Sequence, residues 1–276
     1  MASTPYLPAF LLSHLHIFLF YLLISVATGA RTVFQKTNRR FRTHGEERQR
    51  SILSMLAGIV AKVLLFVLAF PITRAIVFAH ESWTPALVVR AALCAKVLMV
   101  ADLFDMTYRK VSRVVWVHHT LTFAACLIGL YYITPDAPDV ARLWISVPFL
   151  FLGVGVGLTD VGGDCSVMLY YLAPPSVFVL RAAEVCGAWV MLGRVTQWSL
   201  ILTFFLRREW LLLGLGPVTI AIIAAVMIGW GAAEMGEIHA VLGMGAKLRA
   251  KVFETHTSNK LLVDSDSEPE SSMIKS

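Results

Sequence analysis

The stretch Leu53–Phe78 holds 26 residues, of which only Lys62 and Arg74 are charged. As an α-helix it would run about 39 Å, more than the roughly 30 Å hydrocarbon core of a bilayer. A backbone in hydrocarbon must satisfy its own polar groups, which leaves helices and closed barrels. The apolar residues here come in continuous runs, not in ten-residue alternating segments, so a barrel is excluded. Comparable runs recur at about Leu7–Ala27, Ala86–Met106, Val114–Ile133, Leu143–Leu158, Val177–Leu206 and Trp210–Ala233. The expected fold is all-α: a polytopic membrane helical bundle of about seven transmembrane helices.

Composition points the same way. Hydrophobic residues make up 57% of the 276 and charged residues 15%, against roughly 25% charged in a soluble domain. Disorder of the whole chain, a coiled coil and a disulfide-stapled secreted module are excluded. Cys94, Cys126, Cys165 and Cys186 lie in or beside apolar runs without paired spacing, as buried inert thiols do. The run Tyr6–Ala30 exceeds a typical signal-peptide core, so a retained first span is expected. The chain divides into residues 1–49, a first span and basic loop; 50–235, a six-helix membrane domain; and 236–276, a polar tail expected to be disordered.

The net charge of +6 sits in loops. No Arg/Lys face with interleaved aromatics marks a nucleic-acid partner. Residues 31–51 contain seven Lys or Arg, 109–113 three and the tail after Met235 five, whereas 80–85 and 134–141 contain none. The positive-inside rule then puts the N-terminus on the non-cytosolic side and the tail in the cytosol. Arg207-Arg208 is the exception. In the tail, Ser265 and Ser267 each precede an acid by three positions, the pattern of an acid-directed kinase substrate; a merely solvated tail fits equally.

Charges within spans need a reason, since each costs at least about 2.5–3.5 kcal/mol at the bilayer centre. Asp102 and Asp105 close the third span, three apart on one face. His118 and His119 lie one to two turns into the fourth. Asp160 and Asp164 end the fifth, Arg181 and Glu184 open the sixth, and Lys62 lies a few turns into the second. Five segments thus bring acids, bases and imidazoles to one depth, the cytosolic third of the membrane, as around a polar chamber. Singly, each has a structural reading: a helix–helix hydrogen bond for a histidine, a snorkelled pair for Asp105 and Arg109, an ion pair for Arg181 and Glu184. Adjacent histidines point about 100° apart, so one orients while the other reacts, and their spacing is wrong for two zinc ligands on one helix face.

The blocks Asp102-Leu103-Phe104-Asp105, Tyr108-Arg109-Lys110 and Trp116-Val117-His118-His119-Thr120-Leu121-Thr122 resemble the signature of the TLC-domain family, which includes the ceramide synthases. Leu158-Thr159-Asp160-Val161-Gly162-Gly163-Asp164 resembles the family's second acidic block, and Arg194 its later intramembrane arginine. The likeness runs from about Arg50 to Trp230. In ceramide synthases the second block reads His-Asp-x-x-Asp; here Thr159 replaces the histidine and the acids stand four apart. The Leu-Thr-acid version is similar to the Leu-Thr-Glu-x-Ser of smaller TLC-domain proteins for which no synthase activity is established.

The resemblance implies lipid metabolism in the endoplasmic reticulum. Its most specific form is N-acyl transfer from fatty acyl-CoA to a sphingoid base, with acyl-CoA as co-substrate and no permanently bound cofactor or metal. His118, His119, Asp160 and Asp164 would be catalytic; Asp102, Asp105, Lys110, Arg113, Arg181 and Arg194 would bind substrate. The rival reading is a lipid-binding, lipid-sensing or homeostasis protein holding an acyl-chain or sphingoid ligand without turnover. An ion- or proton-coupled transporter ranks last, because no broken-helix repeat is visible. A homodimer is compatible with either leading reading.

Overall fold

In a computed structural model, residues 6–78, 84–132, 160–206 and 217–265 are described, and all regular structure among them is helical. The helices are α1 (Tyr6–Thr37), α2 (Arg39–Thr43), α3 (Glu46–Phe78), α4 (Pro85–Tyr108), α5 (Arg113–Tyr132), α6 (Val161–Leu172), α7 (Val177–Leu206) and α8 (Pro217–Ser265). Three of them contain stretches long and apolar enough to cross a membrane: His14–Thr37, Glu46–Ala75 and Arg113–Tyr131. α4 has the length, at 24 residues, but carries Arg90, Lys96, Asp102 and Asp105. The expected span Leu143–Leu158 and the Arg207-Arg208 pair lie outside the described residues.

Large apolar side chains cover the outer surface. Tyr21, Val67, Phe178, Val185, Leu192 and Ile228 are all more than 60% exposed. Water would penalise such a coat, whereas hydrocarbon does not. This is a membrane protein.

Helix contacts close a ring. α3 packs on α4, α4 on α5, α5 on α8, α8 on α7, α7 on α6 and α6 back on α3; α1 lies against α3 and α4. Small residues let α1, α3 and α4 approach closely: Ala27, Ala57, Ala61 and Ala91 are fully buried beside Leu23, Ile52, Leu53 and Val97.

The short α2 turns the chain between α1 and α3. Asn38 caps it, its Oδ1 accepting from the Phe41 N–H at 2.9 Å. Phe41 is buried against Phe34, with ring centroids 5.4 Å apart. Gln49, also buried, donates to the carbonyls of Phe41 and His44. α2 in turn holds the far end of α6. Asn38 Nδ2 donates to the Leu172 carbonyl (3.2 Å), His44 Nε2 to that of Tyr171 (3.1 Å), and Arg40 to that of Ala173. The last carbonyls of a helix lack partners within it, and a cation beside them also meets the negative end of the helix dipole. Arg48 lies over the Tyr171 ring and Lys251 over that of Tyr170, while Ser54 bonds to Asp105 one turn before Arg109. The basic segments 39–50, 109–113 and 247–251 thus gather at one end of the molecule.

Two sequence expectations are corrected. The fifth span was expected to finish at Leu158, with Asp160 and Asp164 at its cytosolic end. Instead a helix, α6, begins at Val161 and runs for 12 residues, about 18 Å, and both acids face the cavity inside the bundle. The tail from residue 236 was expected to be disordered, but α8 runs unbroken through it to Ser265. The reason is a stripe at spacings of three and four, Ile238, Val241, Met244, Leu248 and Val252. Leu248 and Val252 bury against Val179 and Ala183. Ser267 and the acidic residues after it lie outside the described residues.

Candidate functional site

The ring encloses a cavity of about 270 Å³. Polar groups from five places in the chain line it: Lys62 on α3, Asp102 and Asp105 on α4, His118 and His119 on α5, Asp160 and Asp164 at the start of α6, and Arg194 on α7. Helical geometry explains each set. Asp102 and Asp105 share a face, as do Asp160 and Asp164, being three and four residues apart. Apolar walls complete the cavity, among them Leu23, Leu65, Leu98, Phe104 and Val190.

Near its basic end the site is built on Asp105. Arg109 grips this carboxylate with two parallel bonds, Nε to Oδ1 at 2.6 Å and Nη2 to Oδ2 at 2.7 Å. Ser54 Oγ donates to Oδ1 at 2.5 Å. His119 Nε2 donates to Oδ2 at 3.0 Å, while its Nδ1 lies 2.9 Å from Asp102 Oδ1, off the angle of a hydrogen bond. A carboxylate held by Arg109 only accepts, so the Nε2 facing Asp105 carries a proton.

The deeper part holds two further ion pairs. Lys62 Nζ donates to Asp164 Oδ2 at 2.5 Å. Arg194 Nη2 donates to Asp160 Oδ1 at 2.5 Å, and its Nη1 to Gln197 Oε1 at 3.0 Å. Arg194 and Gln197 are 6% and 0% exposed, so this cluster is buried. The His118 ring stands 5.6 Å from that of His119 at 68°, within electrostatic reach of Asp160, Arg194 and Lys62. Four carboxyl groups thus face three fixed cations and two imidazoles.

Lys110, Arg113 and Arg181 are exposed and do not line the cavity. Nor does Arg181 pair with Glu184; that acid takes Arg249 of α8 at 2.5 Å. Sequence reasoning left out Ser54 and Gln197, and it read Arg109 only as a helix-end pair. A serine or glutamine in an apolar run carries a weak signal, because either also bonds to its own helix backbone. Gly162, one of the two glycines that set this acidic block apart, has a packing reason. A Cβ there would meet the Cys186 carbonyl oxygen at 3.2 Å and Trp189 Cδ1 at 3.3 Å, so α6 and α7 touch nearly backbone to backbone. No family model, curated protein or solved structure matches the chain.

Proposed function

We propose that this chain is a TLC-like, seven-span membrane protein of lipid metabolism whose cavity carries out acid–base chemistry on a lipid, most specifically N-acyl transfer from a fatty acyl-CoA to a long-chain amine. The observation that carries this reading is the adjacent imidazole pair facing four carboxylates in a cavity with apolar walls. An amphiphile's reacting group would sit at the charged side, with its chain against Leu23, Leu65, Leu98 and Phe104. The basic end would be cytosolic, where CoA resides, with Lys110 and Arg113 on the outer surface near it; the endoplasmic reticulum is the proposed membrane.

His119, committed to Asp102 and Asp105, is the positioning member of the pair. His118 is the base. It accepts a proton from the amine as the nitrogen bonds to the thioester carbonyl carbon, the C–S bond breaks, and the His118 imidazolium returns that proton to the thiolate, so that CoA leaves as the thiol. Asp160 stabilises the imidazolium form of His118 through its charge. The test supplies the purified protein with acyl-CoA and sphingoid base and follows N-acyl product by mass spectrometry. His118→Ala should lower turnover by roughly 10²–10⁴-fold at unchanged detergent stability. Unaltered turnover in that variant, or unfolding of it, would remove His118 from the role.

A second reading, lipid binding without turnover, is favoured by one feature: each of the four carboxylates already has a cation or imidazole beside it. Lipid that co-purifies and is never converted would decide for it.

A further inference from the structure

On the outer face of α1 lies an apolar stripe that leads into a cluster of arginines. Leu22, Val26, Gly29, Val33 and Lys36 follow one another at spacings of four, three, four and three, and so share one side of the helix. The inward side is Leu19, Leu23 and Ala27, and Val26 stands half-buried between the two sides, against the core. Leu22 and Val33 are about half exposed. Gly29 is exposed, and a Cβ there would meet nothing within 4 Å, so the stripe is open at its middle. From Leu22 to Val33 it measures about 16 Å, close to the roughly 15 Å depth of one leaflet's hydrocarbon.

Where the stripe ends, the charge begins. Residues 31–45 contain five Lys or Arg and no acid. The structure sorts α2 by face: Phe41 points into the core and Arg40 to the Ala173 carbonyl, leaving Arg39 and Arg42, three apart, exposed with Lys36. Among the described residues these three cations have no carboxylate partner. They are also held in place, because Asn38, Arg40 and His44 fasten α2 to the end of α6.

We propose that this face binds an anionic phospholipid, its phosphate on Lys36, Arg39 and Arg42 and an acyl chain along Leu22, Val26, Gly29 and Val33. A soluble phosphate would use the cations but not the stripe. A second copy of the chain would use the stripe but would bring its own like-charged cluster against this one.

The test is native mass spectrometry of the full chain in detergent, titrated with phosphatidylserine and, separately, with phosphatidylcholine of the same chains. The wild-type protein should retain phosphatidylserine preferentially. The double change Arg39→Gln and Arg42→Gln should weaken that binding about fivefold per residue and leave phosphatidylcholine unaffected. The corresponding Lys variants should keep the preference, which separates lost charge from lost folding. Gly29→Leu, which fills the stripe, should weaken both lipids. Arg74→Gln removes an exposed cation at the opposite end of α3 and should change nothing. The proposal is overturned by equal retention of the two lipids, or by a double variant no weaker than Arg74→Gln. It is also overturned if glycerophosphoserine displaces the lipid mole for mole, or if Gly29→Leu acts by splitting a dimer.

Discussion

α1, α3 and α4 meet through alanines, leucines and isoleucines, with Ala27, Ile52, Ala61, Val88 and Ala91 at 0% exposure. Among the described residues, α5 to α8 bury fewer apolar groups. Beside those apolar groups they bury Gln197 at 0% and Arg194 at 6%, the latter tied to Asp160 across 34 residues. For a chain whose surroundings are themselves apolar, the contrast has a physical basis. Leucine against leucine is little better than leucine against lipid, so α1, α3 and α4 gain from close approach of small residues. An ion pair has no rival partner in hydrocarbon, so it specifies which helices meet at the cost of removing its charges from water.

The contrast can be broken by experiment, beginning with the largest effect. Arg194→Ala leaves Asp160 and Gln197 facing a void and should destabilise by about 3–5 kcal/mol, read as a fall in denaturant midpoint in detergent. A loss below about 1 kcal/mol would mean that α6 and α7 are held by packing after all. Gly162→Val forces the Cys186 carbonyl away and should cost roughly 1–3 kcal/mol. A companion measurement of Arg194–Asp160 coupling by double-mutant cycle should then show the pair weakened. In the apolar half, Ile52→Val should cost only about 0.5–1.5 kcal/mol, with the site chemistry untouched. Arg249→Ala removes an ion pair whose arginine is 71% exposed and should move stability by less than about 1 kcal/mol.

What could be read from the sequence follows the same division. Charges stand out in apolar runs, so Lys62, Asp102, Asp105, His118, His119, Asp160, Asp164 and Arg194 could be singled out before any packing was known. Who pairs with whom could not. Glu184 has a cation three residues before it and takes one 65 residues after it, because the ring places α8 beside α7. The helix after residue 236 was hidden by its polar average. The stripe Ile238–Val241–Met244–Leu248–Val252 was there to be found, but its period shows only when spacing, not hydropathy, is followed. That residues 161–172 form a helix was hidden for another reason. Gly162, Gly163 and Asp164 read as a span ending, whereas Gly162 permits a helix crossing.

The bonds from Asn38, Arg40 and His44 to carbonyls 171–173 span 127 to 134 residues. At about 5–20 residues per second of synthesis, the partners of α2 emerge on the order of 10 s after α2 itself. During that interval Phe41 and the bonds from Gln49 can form, because their partners lie within residues 34–49, but the three donors aimed at α6 have nothing to hold. The corner between the first two long helices is thus left unlatched until most of the bundle has been inserted. A nascent chain arrested before residue 171 should therefore present Arg40 and His44 to chaperones or protease, and one arrested well beyond it should not.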